Sequence, residues 1–349
     1  MVKGKKVNIM WWIYPLYALL AGAIIYLSYL LGNYVDALDK KTKISGAFIG
    51  GILLAAVTSL PELFTSISSI CFLGETGMVV GNVLGSDLFN LMVLGISIVL
   101  FLKKYKKAEI GKIHVYSSII VVLMAALTLY AILVPSNYQP QLGPINFISI
   151  IIIGLYALNL FLQPKESAAS EDADEIKLSV KQIVIRFIIC AVLLVGVSIA
   201  ITYATDALAK ELNIGPTVAG SLFLAIATSL PEVVSTITLC KKGNFNAGFG
   251  NIIGSNIFNF AILSLSEFIS WKNSVFVYHD KEAFLMAVFL IASSVVTIIS
   301  ILVLFWYQRK ERNNKTKWVM NIASIIFGLL ILSGYFAYLV VNQSVPTIW

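Results

Sequence analysis

Apolar runs of about twenty residues recur along the whole chain, at roughly 11–35, 44–73, 78–102, 114–134, 144–163, 182–207, 214–239, 246–270, 283–307 and 317–341. Each is long enough to cross a hydrocarbon core of about 30 Å as an α-helix. In lipid the backbone must satisfy its own hydrogen bonds, so runs of this kind are expected to be helices. The expected fold class is therefore an all-α polytopic membrane protein of about ten transmembrane helices. Charged residues make up 12% of the chain, about half the density of a soluble domain. The net charge of +7 does not point to nucleic acid, because Lys and Arg fall in short loops between the runs. The basic start, MVKGKKVNIMWW, leads into an apolar run of full span length without a small-residue cleavage site, and reads as a first span. Cys71, Cys190 and Cys240 form no CxxC pair and are expected to be small buried side chains.

One stretch departs in composition. Pro164–Lys177, PKESAASEDADEIK, is acidic and rich in small residues. It reads as a solvated linker (164–181) between two five-span halves, 1–163 and 182–349. Of the 25 Lys and Arg, nineteen fall in or beside the loops that follow spans 1, 3, 5, 7 and 9, and six lie on the other face. The positive-inside rule puts the first face in the cytoplasm and both termini outside. Only the basic N-terminus speaks locally against that assignment.

The two halves repeat each other. VDALDKKTKISGAFIGGILLAAVTSLPELFTS (Val35–Ser66) aligns without a gap on TDALAKELNIGPTVAGSLFLAIATSLPEVVST (Thr205–Thr236), an offset of 170. After the loss of one residue, GNVLGSDLFN (Gly81–Asn90) aligns on GNIIGSNIFN (Gly250–Asn259), an offset of 169. The repeated blocks span 44–102 and 214–270. A five-span repeat enters the membrane from opposite sides in its two copies. Inverted repeats of this kind are typical of secondary transporters, whose sites lie near the midplane at interrupted helices.

The TSLPE sequences in spans 2 and 7 are such a matched pair. Pro61 and Pro231 lack an N–H and are expected to break their helices, leaving the carbonyls of Val57 and Ala227 without their usual donors. Such carbonyls are tolerated at membrane depth only inside protein or along a cavity. An ionisable Glu at that depth marks an ion pathway. Glu62 and Glu232, with Thr58, Ser59, Thr228 and Ser229, make an oxygen-rich set suited to hard cations such as Ca²⁺ and Na⁺. No His or Cys accompanies them, which argues against softer metals. Ser86 and Asn90, and again Ser255 and Asn259, are spaced i, i+4 on one helix face. They are expected to complete the cage from spans 3 and 8.

With these residues the chain resembles the cation/Ca²⁺ exchanger superfamily, and most closely its prokaryotic sodium/calcium exchanger branch. The resemblance rests on both TSLPE copies and on GNVLGSDLFN and GNIIGSNIFN, and covers essentially the whole chain. It implies ten helices as two inverted five-helix repeats, with helices 2 and 7 broken and both termini outside. It implies that Glu62 and Glu232 are the acidic ligands shared by Ca²⁺ and Na⁺, and that Thr58, Ser59, Thr228 and Ser229 are hydroxyl ligands and hinges. Ala55 and Ala225 match positions whose carbonyls bind Na⁺. Ser86 and Ser255 match flanking serine ligands, and Asn90 matches the polar residue of span 3. The chain departs from the family where its usual Gly before TSLPE is Val57 or Ala227. It departs again at Asn259, commonly Asp in sodium-driven members.

The expected cage thus holds two carboxylates, enough to balance one Ca²⁺, and transport is expected to depend weakly on membrane potential. Asp87 lies about 100° round the helix from Ser86 and is absent from the second copy. It is expected at a packing face or vestibule, with entry into the ion pathway as the alternative. The expected function is antiport of Ca²⁺, or a related divalent cation, against Na⁺. H⁺ is the alternative coupling ion, since a desolvated Glu takes up a proton more readily. A cation channel is the alternative from another class. An enzyme is not expected, because His114 and His279 sit at span ends, taken as interfacial, and no nucleophile–base set is present. The expected partners are the lipid bilayer and inorganic cations, with no cofactor and no obligate protein partner. The expected location is a prokaryotic plasma membrane.

Overall fold

A computed structural model describes residues 12–42, 44–68, 70–71, 77–142, 145–164, 176–211, 225–270, 274–276, 280–309 and 314–344. Among them are ten long helices: α1 (Ile13–Lys41), α2 (Gly46–Ser68), α3 (Gly77–Leu100), α4 (Ile113–Leu133), α5 (Phe147–Leu162), α6 (Val180–Glu211), α7 (Ala225–Lys242), α8 (Phe245–Ile269), α9 (Lys281–Arg309) and α10 (Asn314–Ser344). Eight are long and apolar enough to cross a membrane by length and composition alone. The others are α5, with 16 residues, and α7, whose described part begins at Ala225. The remainder of the span expected at 214–239 lies outside the described residues, as do most of the acidic linker, Lys272 and His279.

Local chemistry sets the helix ends. Asn146 caps α5 by accepting from the Ile148 N–H at 3.0 Å, after a two-residue antiparallel pair, Gln141–Leu142 with Ile145–Asn146. Gly243, at φ 94°, ends α7 in the left-handed region that a residue without Cβ adopts freely. Asn244 then caps α8 by accepting from the Ala247 N–H at 3.1 Å. Two residues therefore turn the chain from α7 into an antiparallel α8.

The packing follows the repeat. α1 lies against α6, and α4 against α9, each helix meeting its own counterpart. α3 packs on α10 as α8 packs on α5, and α2 packs on α8 as α7 packs on α3. The centre is made by α2, α3, α7 and α8, of which α8 is the most buried candidate span. Its glycines allow α2 to lie directly on it. A Cβ on Gly250 would stand 2.8 Å from the Gly51 nitrogen and 3.1 Å from the Ala47 carbonyl oxygen. A Cβ on Gly254 would collide with the Gly51 carbonyl, and one on Gly50 with the Ala247 carbonyl. Small residues give membrane helices this backbone-to-backbone approach.

The two proline helices differ. α2 is irregular twice: a π-helical turn covers Ile49–Leu54, and the helix is interrupted at Ser59, with φ −91° and ψ 6°. α7 shows no such interruption; from Ala225 it runs through Pro231 to Lys242. A proline inside a helix removes one ladder hydrogen bond, and buried neighbours can hold the helix together across the gap. The prolines are otherwise treated alike. Thr65 Oγ1 donates to the Pro61 carbonyl at 2.9 Å, and Ser235 Oγ to the Pro231 carbonyl at 2.6 Å.

The described ends of the linker meet the turn between α1 and α2. Ser45 Oγ donates to the Pro164 carbonyl, and Lys41 Nζ to the Leu178 carbonyl at 2.7 Å. Two expectations are corrected here. Cys71 is exposed, whereas Cys190 and Cys240 are buried as expected. His114 is not interfacial but buried, with Nε2 2.9 Å from Asn246 Oδ1 and its ring against Phe249. Its apolar and amide neighbours come from α8, which the position of His114 at the start of α4 does not reveal.

Candidate cation site

The polar residues of the two TSLPE copies meet in the middle of the bundle, and they cross over. Ser59 Oγ on α2 donates to Glu232 Oε1 on α7 at 3.1 Å, and Thr58 also hydrogen-bonds Glu232. Reciprocally, Ser229 Oγ on α7 lies 3.5 Å from Glu62 Oε1 on α2, and Thr228 hydrogen-bonds Glu62. Each carboxylate is thus served by hydroxyls of the other repeat. α3 and α8 add one serine each. Ser86 Oγ is 3.4 Å from Glu62 Oε1, and Ser255 Oγ is 3.4 Å from Thr58 Oγ1.

Glu62 and Glu232 are each 1% exposed. Among the described residues neither has a Lys, Arg or His partner, and the second oxygen of each, Oε2, accepts no hydrogen bond. The charges repel one another. Buried carboxylates with hydroxyl donors on one side and bare oxygens on the other can accept a positive charge on the bare side. A permanent salt bridge would neutralise them for good.

A second layer lies beside this one. Asn90 Nδ2 on α3 donates to Asn256 Oδ1 on α8 at 3.0 Å, and Asn259 Nδ2 on α8 donates to Asp87 Oδ1 on α3 at 2.8 Å. Asn256 Nδ2 donates to the Asp87 backbone carbonyl at 3.1 Å. With their N–H groups so engaged, Asn90 and Asn259 keep their Oδ1 atoms buried and unpartnered.

Of the expected site residues, Glu62, Glu232, Thr58, Ser59, Thr228, Ser229, Ser86 and Ser255 form the first layer, and Asn90 and Asn259 belong to the second. The Ala55 carbonyl is engaged, accepting from the Ser59 N–H at 3.1 Å and from Thr58 Oγ1 at 3.3 Å. Ala225 is the first described residue of α7. Asp87 is not in a vestibule: it is 0% exposed and hydrogen-bonded across the α3–α8 contact. The rotation from Ser86 gave its direction, but α8 packs in that direction and seals it. Asn256 was not anticipated, although the offset of 169 makes it the counterpart of Asp87.

Buried carboxylates offered by two matched, oppositely inserted helices in a ten-helix bundle define a cation transporter of the inverted-repeat class. The sequence profile described as sodium/calcium exchanger protein matches residues 12–164 and 182–343. The chain belongs to this family, within the cation/Ca²⁺ exchanger superfamily, and is a membrane transporter and not an enzyme. It is 26% identical over 270 residues to the sodium/calcium exchanger MaX1 of Methanosarcina acetivorans, covering 66% of this chain and 75% of that one. It is 26% identical over 267 residues to the inner membrane protein YrbG of Escherichia coli, covering 70% and 78%. Its fold matches that of the sodium-calcium exchanger NCX_Mj, soaked with 10 mM Na⁺ and no Ca²⁺, with a TM-score of 0.68 and 20% identity over 93% of this chain and 97% of that one.

Proposed function

We propose that the chain exchanges Ca²⁺, or a closely related divalent cation, for Na⁺ across the membrane by alternating access between its two repeats. The crossed pairing of Glu62 and Glu232 with hydroxyls of the opposite repeat carries this reading. A divalent cation between the two carboxylates is neutralised by one charge from each half. Relative motion of the halves then changes which side of the membrane the ion faces.

Na⁺ is preferred to H⁺ as the coupling ion on a specific observation. A proton needs a carboxylate alone, whereas Na⁺ needs several oxygen ligands. The buried, unpartnered Oδ1 atoms of Asn90 and Asn259 are such ligands and serve no purpose for a proton. In this reading Thr58, Ser59, Thr228, Ser229, Ser86 and Ser255 supply further oxygens, and Ala55 and Ala225 offer carbonyls once the local hydrogen bonds shift. The halves 1–163 and 182–349 act as the two moving units, joined by the linker 164–181 in the cytoplasm of a prokaryotic cell with both termini outside.

The test is Ca²⁺ uptake into proteoliposomes under an imposed Na⁺ gradient and, separately, an imposed pH gradient. Uptake driven by Na⁺ alone is expected. Uptake driven by the pH gradient without Na⁺ refutes Na⁺ coupling. Ca²⁺ flux that proceeds without any countertransported ion refutes antiport and supports a channel.

A further inference from the structure

Asp87 breaks the symmetry of the second layer. The repeat operation carries Asp87 to Asn256 and Asn90 to Asn259. The hydrogen bond Asn90–Asn256 (3.0 Å) therefore corresponds to Asn259–Asp87 (2.8 Å), and the two ladders are the same except that one acceptor is a carboxylate. A carboxylate accepts only. It fixes the Asn259 amide with its N–H group toward α3, leaving Oδ1 free. Asn256 does the same for Asn90, and is itself held by its bond to the Asp87 carbonyl.

The charge of Asp87 has no obvious structural use. An Asn fills the matching place in the second repeat. Asp87 is fully buried, its Oδ2 accepts no hydrogen bond, and among the described residues it has no cationic partner. Its chain neighbour Ser86 reaches the first layer, with Oγ 3.4 Å from Glu62 Oε1.

We propose that Asp87 is the third negative charge of the transport site: a positioning residue on α3 that points the Asn259 carbonyl toward the cations and adds a charge that a third monovalent cation neutralises. The proposal rests on the antiport reading. Its consequence is a charge count. With Glu62, Glu232 and Asp87 ionised, one divalent cation leaves one negative charge, whereas three monovalent cations leave none. Exchange then moves one net charge per cycle, contrary to the weak voltage dependence expected from two carboxylates.

The experiment measures charge moved per Ca²⁺. The full chain is reconstituted in proteoliposomes with fixed Na⁺ and pH gradients, and K⁺ with valinomycin sets the potential. The potential at which net Ca²⁺ flux vanishes gives the coupling. The unmodified chain is expected to move one net charge per Ca²⁺, Asp87→Asn none, and Asp87→Asn combined with Asn259→Asp one again. A residue that merely packs α3 on α8 changes the flux but not the charge per Ca²⁺. An electroneutral unmodified chain, or Asp87→Asn with unaltered charge per Ca²⁺, overturns the proposal. If Asp87→Asn does not insert, the paired substitution decides: restored folding with one charge per Ca²⁺ supports it, and electroneutral exchange overturns it. Absence of any Ca²⁺ flux driven by a monovalent gradient in the unmodified chain sinks the antiport reading and this inference together. Coupled exchange indifferent to Asp87 sinks the inference alone.

Discussion

Glu62 and Glu232 each accept from hydroxyls of the opposite repeat, Glu62 from Ser86 of its own repeat as well, so neutralising either one unbalances a pair. An ionised acid at the centre of a membrane helix costs about 2.5–3.5 kcal/mol on insertion scales, and among the described residues neither Glu62 nor Glu232 has a cationic side chain to offset it. Gln preserves shape and removes charge. Glu62→Gln and Glu232→Gln are each expected to leave the protein folded and to nearly abolish Ca²⁺ transport in proteoliposomes; exchange at the unmodified rate in either variant would rule out the assignment. Ser59→Ala removes one hydrogen bond to a charged group, worth about 1.5–3 kcal/mol, and should weaken transport roughly 10- to 100-fold without abolishing it. These residues were legible in the sequence because a Thr-Ser-Leu-Pro-Glu run inside apolar surroundings has few uses, and two runs at matched positions have fewer. Asp87 was legible only as an angle. Helical geometry placed it to one side of Ser86, but what covers that side is α8, more than 150 residues further along the chain.

The crossing of α2 on α8 holds the first layer in place. Gly50 from α2 and Gly250 and Gly254 from α8 bring backbone against backbone, so a methyl group added at any of these three has nowhere to go. Overpacking of this kind typically costs about 1–3 kcal/mol. Gly254→Ala is expected to lower the melting temperature of the purified protein in detergent, whereas Gly22→Ala, whose Cβ meets nothing within 4 Å, is not. Equal melting temperatures for the two variants would contradict the close crossing. At this scale the helices were legible because apolar length is a local signal, whereas the Asn146 and Asn244 caps and the Gly243 turn that set their ends emerge only in the structure. The sequence did not distinguish the two proline helices. Pro61 and Pro231 have the same neighbours in sequence, yet α2 is interrupted at Ser59 while α7 continues through Pro231. The residues of α7 that match the glycine contact of α2 lie outside the described residues, and nothing in the described structure explains the difference.

In the molecule as a whole, the odd number of spans per repeat and the sidedness of its charges make separate claims that one measurement can tell apart. An odd repeat requires α4 to carry the chain from one face to the other. Residues just before α4 and just after it must then lie on opposite sides. Lys107, exposed before α4, and Tyr138, 75% exposed after it, sample the two faces. The distribution of Lys and Arg puts Lys107 in the cytoplasm and Tyr138 outside. Cys71 is exposed and must first be replaced by Ser, while Cys190 and Cys240 are buried. On that background, Lys107→Cys is expected to react with a membrane-impermeant maleimide only in inside-out vesicles, and Tyr138→Cys only in intact cells. Labelling of both from the same side would refute α4 as a span, and with it the inverted relation between the halves. Labelling of each from the side opposite to that expected would keep the inversion and the site intact. It would reverse the orientation, showing that the three lysines of the basic N-terminus outweigh the positive loops further along the chain, and that Ca²⁺ and Na⁺ meet the two repeats from the opposite compartments.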